Sequence, residues 1–496
     1  MSEAKDIDWE RFGRASKEVS PEIKVLNSMR ENPRSFDLAS YYAQILIHRA
    51  HTVMLFEEKI ISREEASGII KGLRIVEEQA ESDPNLSGYM STETALIHEI
   101  GEIGGKMHIG RSRNDLGHTQ RRIFYRDQVN RVISALIEYR RKLIETAEGH
   151  KNTVMPGYTH WRQAQPITLA HYIMAHVESA SRTVERLEGI YKRTNLSPLG
   201  SAAFAGTGWP VNRYRTMELL GFDALVENTL DGVAAIDYYM ELSAALFIHM
   251  SNLSRLAEDI QIWSSDEFKL VELDEAYAGT SSIMPQKKNP LILEQVKSYT
   301  AETLGNSVSV LSSMKGVSYT NIVDRVMLEP MIIDTVVGST NVMAGLVKSL
   351  EPLQDNMLRR LREGYSTMTD LADTLVRLFD ISFRQAHDII VNVTIDALNQ
   401  GIIAEEISPE MIEEASRNVL GRPMIIGQVE LEQALNPLLN VNRRSGIGGP
   451  APESVMMMIE NQKSIILEEE KRHKSRLNNI DRAKKKLMEA ENRFLD

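Results

Sequence analysis

Apolar residues recur along most of the chain at the spacing of an amphipathic α-helix. Within residues 127–149 they follow each other at intervals of three or four positions, which places them on one helix face. The positions on this face are Val129, Val132, Leu136, Tyr139 and Leu143. Similar runs cover about 167–195, 232–265, 291–315 and 330–350. Strand-type alternation is scarce, so the pattern predicts an all-α protein with a bundle of long helices, and such helices favour a bundle shared between subunits.

Five segments between or after these runs combine glycine or proline with small polar residues, as turns and loops at helix ends do. They are GRSRNDLGHTQ (110–120), MPGYTHWRQAQP (155–166), SPLGSAAFAGTGWP (197–210), GTSSIMPQKKNP (279–290) and RRSGIGGPAP (443–452). The charge-rich stretch 463–494 follows the last of them, with a weak apolar spacing. We interpret it as a solvated terminal helix, with an oligomer contact as the alternative, and assign it no chemistry.

The segment 279–290 ends in a pattern that is typical of a helix start. Asn289 suits the N-cap position, and Pro290 suits the first helical position because its missing N–H is not needed there. Lys287 and Lys288 would add charge to the positive end of the helix dipole, which favours a carboxylate or phosphate site. From these residues alone, a surface loop before a well-capped helix explains the segment equally well.

The composition is that of an ordinary globular protein, since 42% of the 496 residues are hydrophobic and 25% are charged. The formal net charge of −12 argues against a general nucleic-acid or acidic-membrane binder, although a local basic pocket for an anionic small molecule is compatible with it. The chain has no cysteine, which excludes disulfides, thiolate catalysis and cysteine metal sites. The sequence has no apolar leader pattern and no run of about 18 apolar residues, so we expect a cytoplasmic protein.

Sequence motifs for metal ions and common cofactors are lacking. The twelve histidines form no H-E-x-x-H pair. The chain also has no G-x-G-x-x-G after a predicted strand and no Walker-type loop. We therefore expect chemistry without a metal or cofactor.

Two of the loop segments carry candidate binding residues. Ser112, Arg113 and Asn114 present a hydroxyl, a guanidinium and an amide side by side, which is a donor set suited to a planar carboxylate. Thr159 and His160 lie between turn residues, and loops are where functional side chains concentrate. Taken singly, each group is more often structural than functional.

Together, these segments resemble the fumarase/aspartase superfamily. The stretch SSIMPQKKNP, residues 281–290, matches its hallmark S-S-x-M-P-x-K-x-N-P. Further segments are similar, in order, to the argininosuccinate lyase branch of that superfamily. They are GRSRND (110–115), MPGYTH (155–160), AQP (164–166), PLGSAAFAGT (198–207), TDLADTLV (369–376), FRQAH (383–387) and GGPAP (448–452). The resemblance covers nearly the whole chain.

The resemblance implies three helical domains. We place an N-terminal domain at 1–111, a central helical-bundle domain with the signature loop 279–290 at 112–362, and a C-terminal domain with the charged terminal helix at 363–496. Proteins of this family assemble through the central bundle into homotetramers. Their active sites combine loops from three subunits, which would explain why the candidate loops lie far apart in the sequence.

The family reaction is the reversible elimination of an amine, or of water, from a succinyl group to give fumarate. Removal of the proton next to a carboxylate places negative charge on that carboxylate, so fixed donors around it are the main catalytic device. By resemblance these donors are Ser112, Asn114, Thr159, Lys287 and Asn289. The resemblance also makes Ser281 the base, and it pairs His160 with Glu294, a pair that could protonate the leaving nitrogen, relay a proton or only orient the substrate.

The chain departs from the argininosuccinate lyase pattern where the leaving group would bind. The family continues GRSRND with Q-V-A-T-D, whereas residues 116–120 are LGHTQ, and the histidine is followed by Trp161 and Arg162. An expected E-D-x-H stretch is replaced by LSGY at 86–89. The family's Y-N-K-D-x-Q-x-D-K becomes YTNIVDRVM at 319–327.

In this last segment Tyr319 is kept, whereas the expected glutamine and lysine correspond to Asp324 and Met327. The residues expected to hold the succinyl half are retained. We therefore expect a carbon–nitrogen lyase whose substrate is an N-substituted aspartate with an amine other than arginine. Ethylenediamine disuccinate, cleaved by an aminopolycarboxylate lyase of this branch, fits, because Arg325, Arg113 or Arg162 could bind its second carboxylate pair. The alternatives are argininosuccinate lyase itself and a crystallin-like structural protein with this fold.

Overall fold

The structure is a computed structural model that describes residues 19–31, 35–82, 89–281, 283–284, 286–322 and 324–495. Residues 86–88, where the sequence departs from the E-D-x-H pattern, lie outside this part of the chain. The described residues form eighteen α-helices and four sheets of two short strands each. The predicted all-α class is confirmed.

The N-terminal part consists of helices with one 3₁₀ segment before the first long helix. The helices are α1 (Pro21–Glu31), α2 (Ser35–Glu57), α3 (Arg63–Ser82) and α4 (Tyr89–Ile100), and the 3₁₀ segment is Gly101–His108. The central part contains five long helices and two short ones. They are α5 (Arg113–Gly149), α6 (Leu169–Thr194), α7 (Arg213–Leu219), α8 (Thr229–Ala234), α9 (Asp237–Trp263), α10 (Leu291–Ser313) and α11 (Pro330–Lys348).

The C-terminal part is helical as well, and the small sheets lie in the connections. The helices are α12 (Gln354–Glu363), α13 (Met368–Phe379), α14 (Phe383–Gln400), α15 (Pro409–Leu420), α16 (Gln428–Leu435), α17 (Pro437–Arg443) and α18 (Pro452–Leu495). The strands are β1 (Val154–Thr159), β2 (Arg162–Thr168), β3 (Leu196–Ser197), β4 (Ala224–Leu225), β5 (Val271–Glu272), β6 (Gly279–Thr280), β7 (Lys288–Asn289) and β8 (Glu351–Pro352). The pairs β1–β2, β5–β8 and β6–β7 are antiparallel, and β3–β4 is parallel.

The largest apolar core is formed by the long helices α5, α6, α9, α10 and α11, to which α1 and the start of α18 add side chains. The five positions predicted from the periodicity of α5 are all buried, with Leu136 and Leu143 fully so. Burying such a leucine side chain contributes about 1.5–3 kcal/mol. The bundle therefore follows from the hydrophobic pattern of the sequence.

Two further cores flank the bundle. One lies mainly between α2 and α3, and the other is formed by residues of α13 to α16. Helix α18 contributes Ile466 to the bundle core and Leu487 to the α2–α3 core. Its interpretation as a solvated helix was therefore wrong for its apolar face, which is buried along its length. The domain limits 1–111, 112–362 and 363–496 stay a prediction.

Two segments that we interpreted as loops contain regular structure. Residues 155–166 lie in the β1–β2 hairpin, which was missed because the run is short and contains Gly157 and two prolines. Residues 113–120 belong to the first turns of α5. Helix α11 is long and apolar enough to cross a membrane by composition, but most of it is buried in the bundle.

Candidate active site

The residues Ser112 and Asn114 are held by the N-terminus of α5. Ser112 is the N-cap, its Oγ accepts a hydrogen bond from the Asn114 backbone nitrogen at 3.3 Å, and its own backbone nitrogen donates to Asp115 Oδ1 at 2.9 Å. This reciprocal arrangement is a capping box, which satisfies two backbone donors of the helix start. Arg113, between them, is exposed.

Asp115 and Asn114 also connect this helix start to the loop after β3. The Oδ2 atom of the fully buried Asp115 accepts hydrogen bonds from the backbone nitrogens of Gly200 and Ala202, both at 2.9 Å. The Asn114 amide Nδ2 donates to the carbonyl oxygen of Ala203 at 2.9 Å. Burial raises the pKa of Asp115, and the hydrogen bonds from the backbone oppose that shift. One carboxylate and one amide thus fix the position of this loop relative to the helix start.

The residues Thr159 and His160 lie at the tip of the β1–β2 hairpin. Thr159 pairs with Arg162, so His160 and Trp161 form a two-residue turn. Both have positive φ angles, 53° and 59°, where glycine or asparagine is normally found. A non-glycine residue in this region costs about 1 kcal/mol or more, and such strain is concentrated at functional sites. Both side chains are exposed at the tip, and 54% of Trp161 is accessible.

The signature segment forms a loop closed at its base by strands β6 and β7. Gly279 pairs with Asn289 and Thr280 pairs with Lys288, and the Asn289 amide donates to the Thr280 carbonyl at 3.4 Å. The Ser281 hydroxyl oxygen accepts hydrogen bonds from the backbone nitrogens of Met284 at 3.0 Å and Ile283 at 3.4 Å. The loop therefore directs two N–H groups at this oxygen.

Charged side chains lie in that loop and next to it. Lys287 is exposed, whereas Lys288 forms an ion pair with Glu272 at 3.4 Å. Glu294 is exposed in the first turn of α10. The predicted helix start was wrong by one residue, because Pro290 is the N-cap and Asn289 is held in β7. The strand pairing of Asn289 outweighs its preference for the cap.

Tyr319 and Arg325 lie in the connection between α10 and α11. Tyr319 is next to the start of α8, and Arg325 is next to the start of α5. The Tyr319 hydroxyl donates to the Asp231 carboxylate, and this acceptor raises the pKa of Tyr319 to about 12. The Arg325 guanidinium nitrogen Nη2 donates to Asn321 Oδ1 at 3.3 Å. Asn321 Nδ2 in turn donates to Asn114 Oδ1 at 2.6 Å.

His118 completes this cluster one helical turn after Asn114. Its Nε2 atom lies 3.4 Å from Asn321 Oδ1 and 3.4 Å from Arg325 Nη1. Burial, together with the nearby guanidinium groups of Arg121 and Arg325, lowers the pKa of His118 to about 3. The imidazole is therefore neutral near pH 7, and Arg121 and Arg325 supply the positive charge of this region.

The predicted site residues thus form three groups within one chain. The first contains Ser112, Arg113, Asn114, Tyr319 and Arg325, the second contains Thr159 and His160, and the third contains Ser281, Lys287, Asn289 and Glu294. Among the described residues, no hydrogen bond or ion pair connects one group with another, and none joins His160 to Glu294. That pairing stays a prediction.

Three residues that contact the first group were not identified from the sequence. Asp115 could have been found, because S-x-x-D before an apolar run is the pattern of a capping box. His118 was noted only as a departure from a family pattern. Asn321 gave no signal, because its role depends on contacts with residues about two hundred positions away.

Comparisons with known proteins place these observations in a family. A family profile described as "Lyase" matches residues 46–305, and one described as "Argininosuccinate lyase C-terminal" matches residues 365–442. The argininosuccinate lyase of Methanococcoides burtonii is 41% identical over 437 residues, which cover 86% of this chain and 87% of that protein. The argininosuccinate lyase of Methanosarcina mazei is 39% identical over 467 residues, which cover 92% of each chain.

A solved structure is similar over almost the entire length. The crystal structure of EDDS lyase in complex with formate superposes with a TM-score of 0.94 at 41% identity, covering 99% of this chain and 98% of that chain. EDDS is ethylenediamine disuccinate. The chain therefore belongs to the argininosuccinate lyase branch of the fumarase/aspartase superfamily and is a carbon–nitrogen lyase.

Proposed function

We propose that this lyase eliminates an amine from an N-substituted aspartate to give fumarate, and that the amine carries carboxylates of its own, as in ethylenediamine disuccinate. The observation that supports this most is the position of Arg325, which is linked through Asn321 to Asn114. Asn114 is expected to hold the succinyl half. A guanidinium beside it favours an anionic leaving group.

The positive charge of Arg325 also disfavours arginine as the leaving group. Burial, followed by the nearby charge of Arg121, lowers the pKa of the Arg325 guanidinium. Two unit charges about 4–8 Å apart repel by roughly 2–4 kcal/mol at an effective dielectric constant of about 20. A third guanidinium, on a departing arginine, would add to this repulsion, whereas a carboxylate would relieve it.

The proposed chemistry begins with proton removal by Ser281. Its Oγ already accepts two backbone hydrogen bonds, an environment that favours the negatively charged oxygen. Lys287, Asn289, Thr159, Ser112 and Asn114 would stabilise the charge that develops on the substrate carboxylate. The C–N bond then breaks, and the leaving nitrogen receives a proton, for which we propose His160 paired with Glu294.

We further propose that the three groups of residues meet in a homotetramer. Helix α10 carries a stripe of exposed apolar side chains with helical spacing, which are Leu304, Val308 and Leu311. A stripe of this kind on a bundle helix is suited to a second copy of the bundle. Association of copies would also let the exposed His160 and Glu294 come from different chains. Nothing in this scheme needs a cofactor, and a cytoplasmic location stays a prediction.

The test is fumarate formation, followed by ultraviolet absorbance, from ethylenediamine disuccinate, argininosuccinate, aspartate and adenylosuccinate in parallel. We expect the highest kcat/KM with ethylenediamine disuccinate. Rapid turnover of argininosuccinate alone would refute the proposed amine but leave the reaction intact.

Argininosuccinate lyase is the second candidate function. It is favoured by the names of the sequence relatives and by the retained Tyr319. The substrate series distinguishes it directly from the first candidate.

A further inference from the structure

Asn321 lies at the centre of a hydrogen-bond chain that runs from Arg325 to the backbone of the loop after β3. Arg325 donates to Asn321 Oδ1, Asn321 Nδ2 donates to Asn114 Oδ1, and Asn114 Nδ2 donates to the Ala203 carbonyl oxygen. We call these four residues the amide relay. Its middle hydrogen bond is 2.6 Å long and joins residues 207 positions apart.

The chemistry of its two ends determines the direction of the amide relay. A guanidinium can only donate hydrogen bonds, so the Asn321 side chain must turn its oxygen towards Arg325 and its nitrogen towards Asn114. A carbonyl oxygen can only accept, so Asn114 must turn its nitrogen towards Ala203. Both amides are therefore fixed in one of their two possible orientations.

The orientation of Asn114 decides what it offers to a substrate. Its oxygen is occupied by Asn321, and only one of the two N–H bonds of its nitrogen is needed for Ala203. The second N–H is left as a donor for a carboxylate, while the oxygen, which would repel a carboxylate, is held away. Preorganised donors of this kind are more effective than donors that must reorient.

We propose that Asn321 is a positioning residue that acts through two partners. It keeps the Asn114 amide in the donor orientation for the succinyl carboxylate, and it holds the Arg325 guanidinium for the carboxylate of the leaving amine. The second half of this inference rests on the proposed function, whereas the first half needs only that the site binds fumarate.

Two substitutions separate this role from simple packing. Asn321→Leu has a similar size but can neither donate nor accept, so Asn114 and Arg325 lose their partner. Asn321→Asp keeps an acceptor for Arg325 but offers no donor to Asn114, and its charge would neutralise Arg325. Ser318→Ala is the matched control, since Ser318 is exposed in the same segment and lies outside the amide relay. Arg325→Met removes only the guanidinium.

The first measurement is the affinity for fumarate, by isothermal titration calorimetry on the purified full-length protein. Asn321→Leu and Asn321→Asp are expected to weaken fumarate binding about 10- to 100-fold, which is the usual effect of one hydrogen bond to a charged group. Ser318→Ala is expected to bind fumarate as the wild type does. Circular dichroism melting curves check that each variant is folded. Wild-type affinity in both Asn321 variants, or equal weakening by Ser318→Ala, would overturn the proposed role.

The second measurement is the ratio of kcat/KM for ethylenediamine disuccinate to that for argininosuccinate. Arg325→Met is expected to raise KM for ethylenediamine disuccinate with little change in kcat, whereas Asn321→Asp raises KM and lowers kcat. The ratio should fall about tenfold or more in Asn321→Asp because the neutralised Arg325 no longer favours an anionic amine. An unchanged ratio contradicts the link to Arg325. If the wild type cleaves only argininosuccinate, the proposed amine is wrong, and the fumarate titration still tests the orientation of Asn114.

Discussion

The carboxylate oxygen Oδ2 of Asp115 accepts a hydrogen bond from the backbone nitrogen of Gly200 at 2.9 Å. Gly200 has a φ of +89°, and a Cβ atom at this position would lie 2.6 Å from the Arg213 side chain. Glycine is therefore required where the loop approaches α5. Because Ser112 and Asn114 belong to the same helix start, this contact fixes these two predicted site residues against the loop after β3.

Asp115→Asn is expected to destabilise the protein and reduce its activity. One oxygen would be replaced by an NH₂ group that faces backbone donors, which costs about 2–4 kcal/mol in free energy of unfolding. The displaced Ser112 and Asn114 should lower kcat/KM about tenfold or more. Urea denaturation measures the loss of stability, and the fumarate assay measures the loss in kcat/KM. Asp127→Asn is the control, because it makes the same change at a half-exposed position of the same helix and should alter stability by less than about 0.5 kcal/mol.

Ser281→Ala is expected to lose at least about a hundredfold in kcat, the usual contribution of a positioned general base, with little change in thermal stability. Ser281 is only partly buried, and its backbone partners Ile283 and Met284 are exposed, so water can replace the lost hydroxyl. The fumarate assay measures the loss in kcat, and a thermal melt measures the stability. Ser309→Ala, an exposed hydroxyl of α10, should retain full activity. A Ser281→Ala variant with a tenth or more of wild-type turnover would exclude this serine as the base. A wild-type protein that assembles but shows no turnover would favour the crystallin-like alternative.

Because Gly345 lies against Tyr277 near the base of the signature loop, we expect substitutions of these two residues to have coupled effects on stability. A Cβ atom on Gly345 would lie 2.1 Å from the Tyr277 hydroxyl oxygen, so Gly345→Ala should cost about 1–3 kcal/mol in free energy of unfolding. Tyr277→Phe removes that oxygen and its 3.2 Å hydrogen bond to Glu22, at a cost of about 1 kcal/mol.

The double variant should be more stable than the sum of the two single effects predicts, because the phenylalanine leaves room for the methyl group. Urea denaturation of the wild type, the two single variants and the double variant gives the four free energies of unfolding of a double-mutant cycle. Strict additivity would show that the steric contact is relieved by movement of α11 instead.

Several buried histidines predict a loss of stability in mild acid. Burial is the first cause that lowers their pKa values, to about 3 for His51 and His118 and to about 4 for His176 and His249. In the unfolded chain these rings take up protons near pH 6.5, so between about pH 6.5 and 4 the unfolded state binds more protons. The free energy of unfolding therefore falls as the pH falls through this window, by about 1.4 kcal/mol per pH unit for each proton.

Denaturation at a series of pH values measures this slope. His249→Gln should reduce it by about one proton, since glutamine can retain the 2.8 Å hydrogen bond to Thr340 without taking up a proton. His98→Gln, at an exposed position, should leave the slope unchanged. Equal slopes in the wild type and His249→Gln would contradict the neutral state of His249.

The helical class, the long bundle helices and the reaction class of a carbon–nitrogen lyase could be predicted from the sequence alone. Helical periodicity is a local property, so the buried face of α5 could be identified from residues three and four positions apart. The ten-residue signature at 281–290 was specific enough to indicate the family. The hairpin under His160 was missed because short strands with glycine and proline lack a clear period of two.

The arrangement of the residues around Arg325 depends on tertiary contacts that the sequence did not reveal. The sequence indicated that residues 319–327 differ from the argininosuccinate lyase pattern, but not that Asn321 connects Arg325 to Asn114 across 207 positions. It also did not reveal that Asp115 holds the Gly200 loop or that His118 is buried and neutral. Such contacts depend on how the helices pack and on which hydrogen-bond partner each polar group has once it is buried. Neither can be read from a short stretch of sequence.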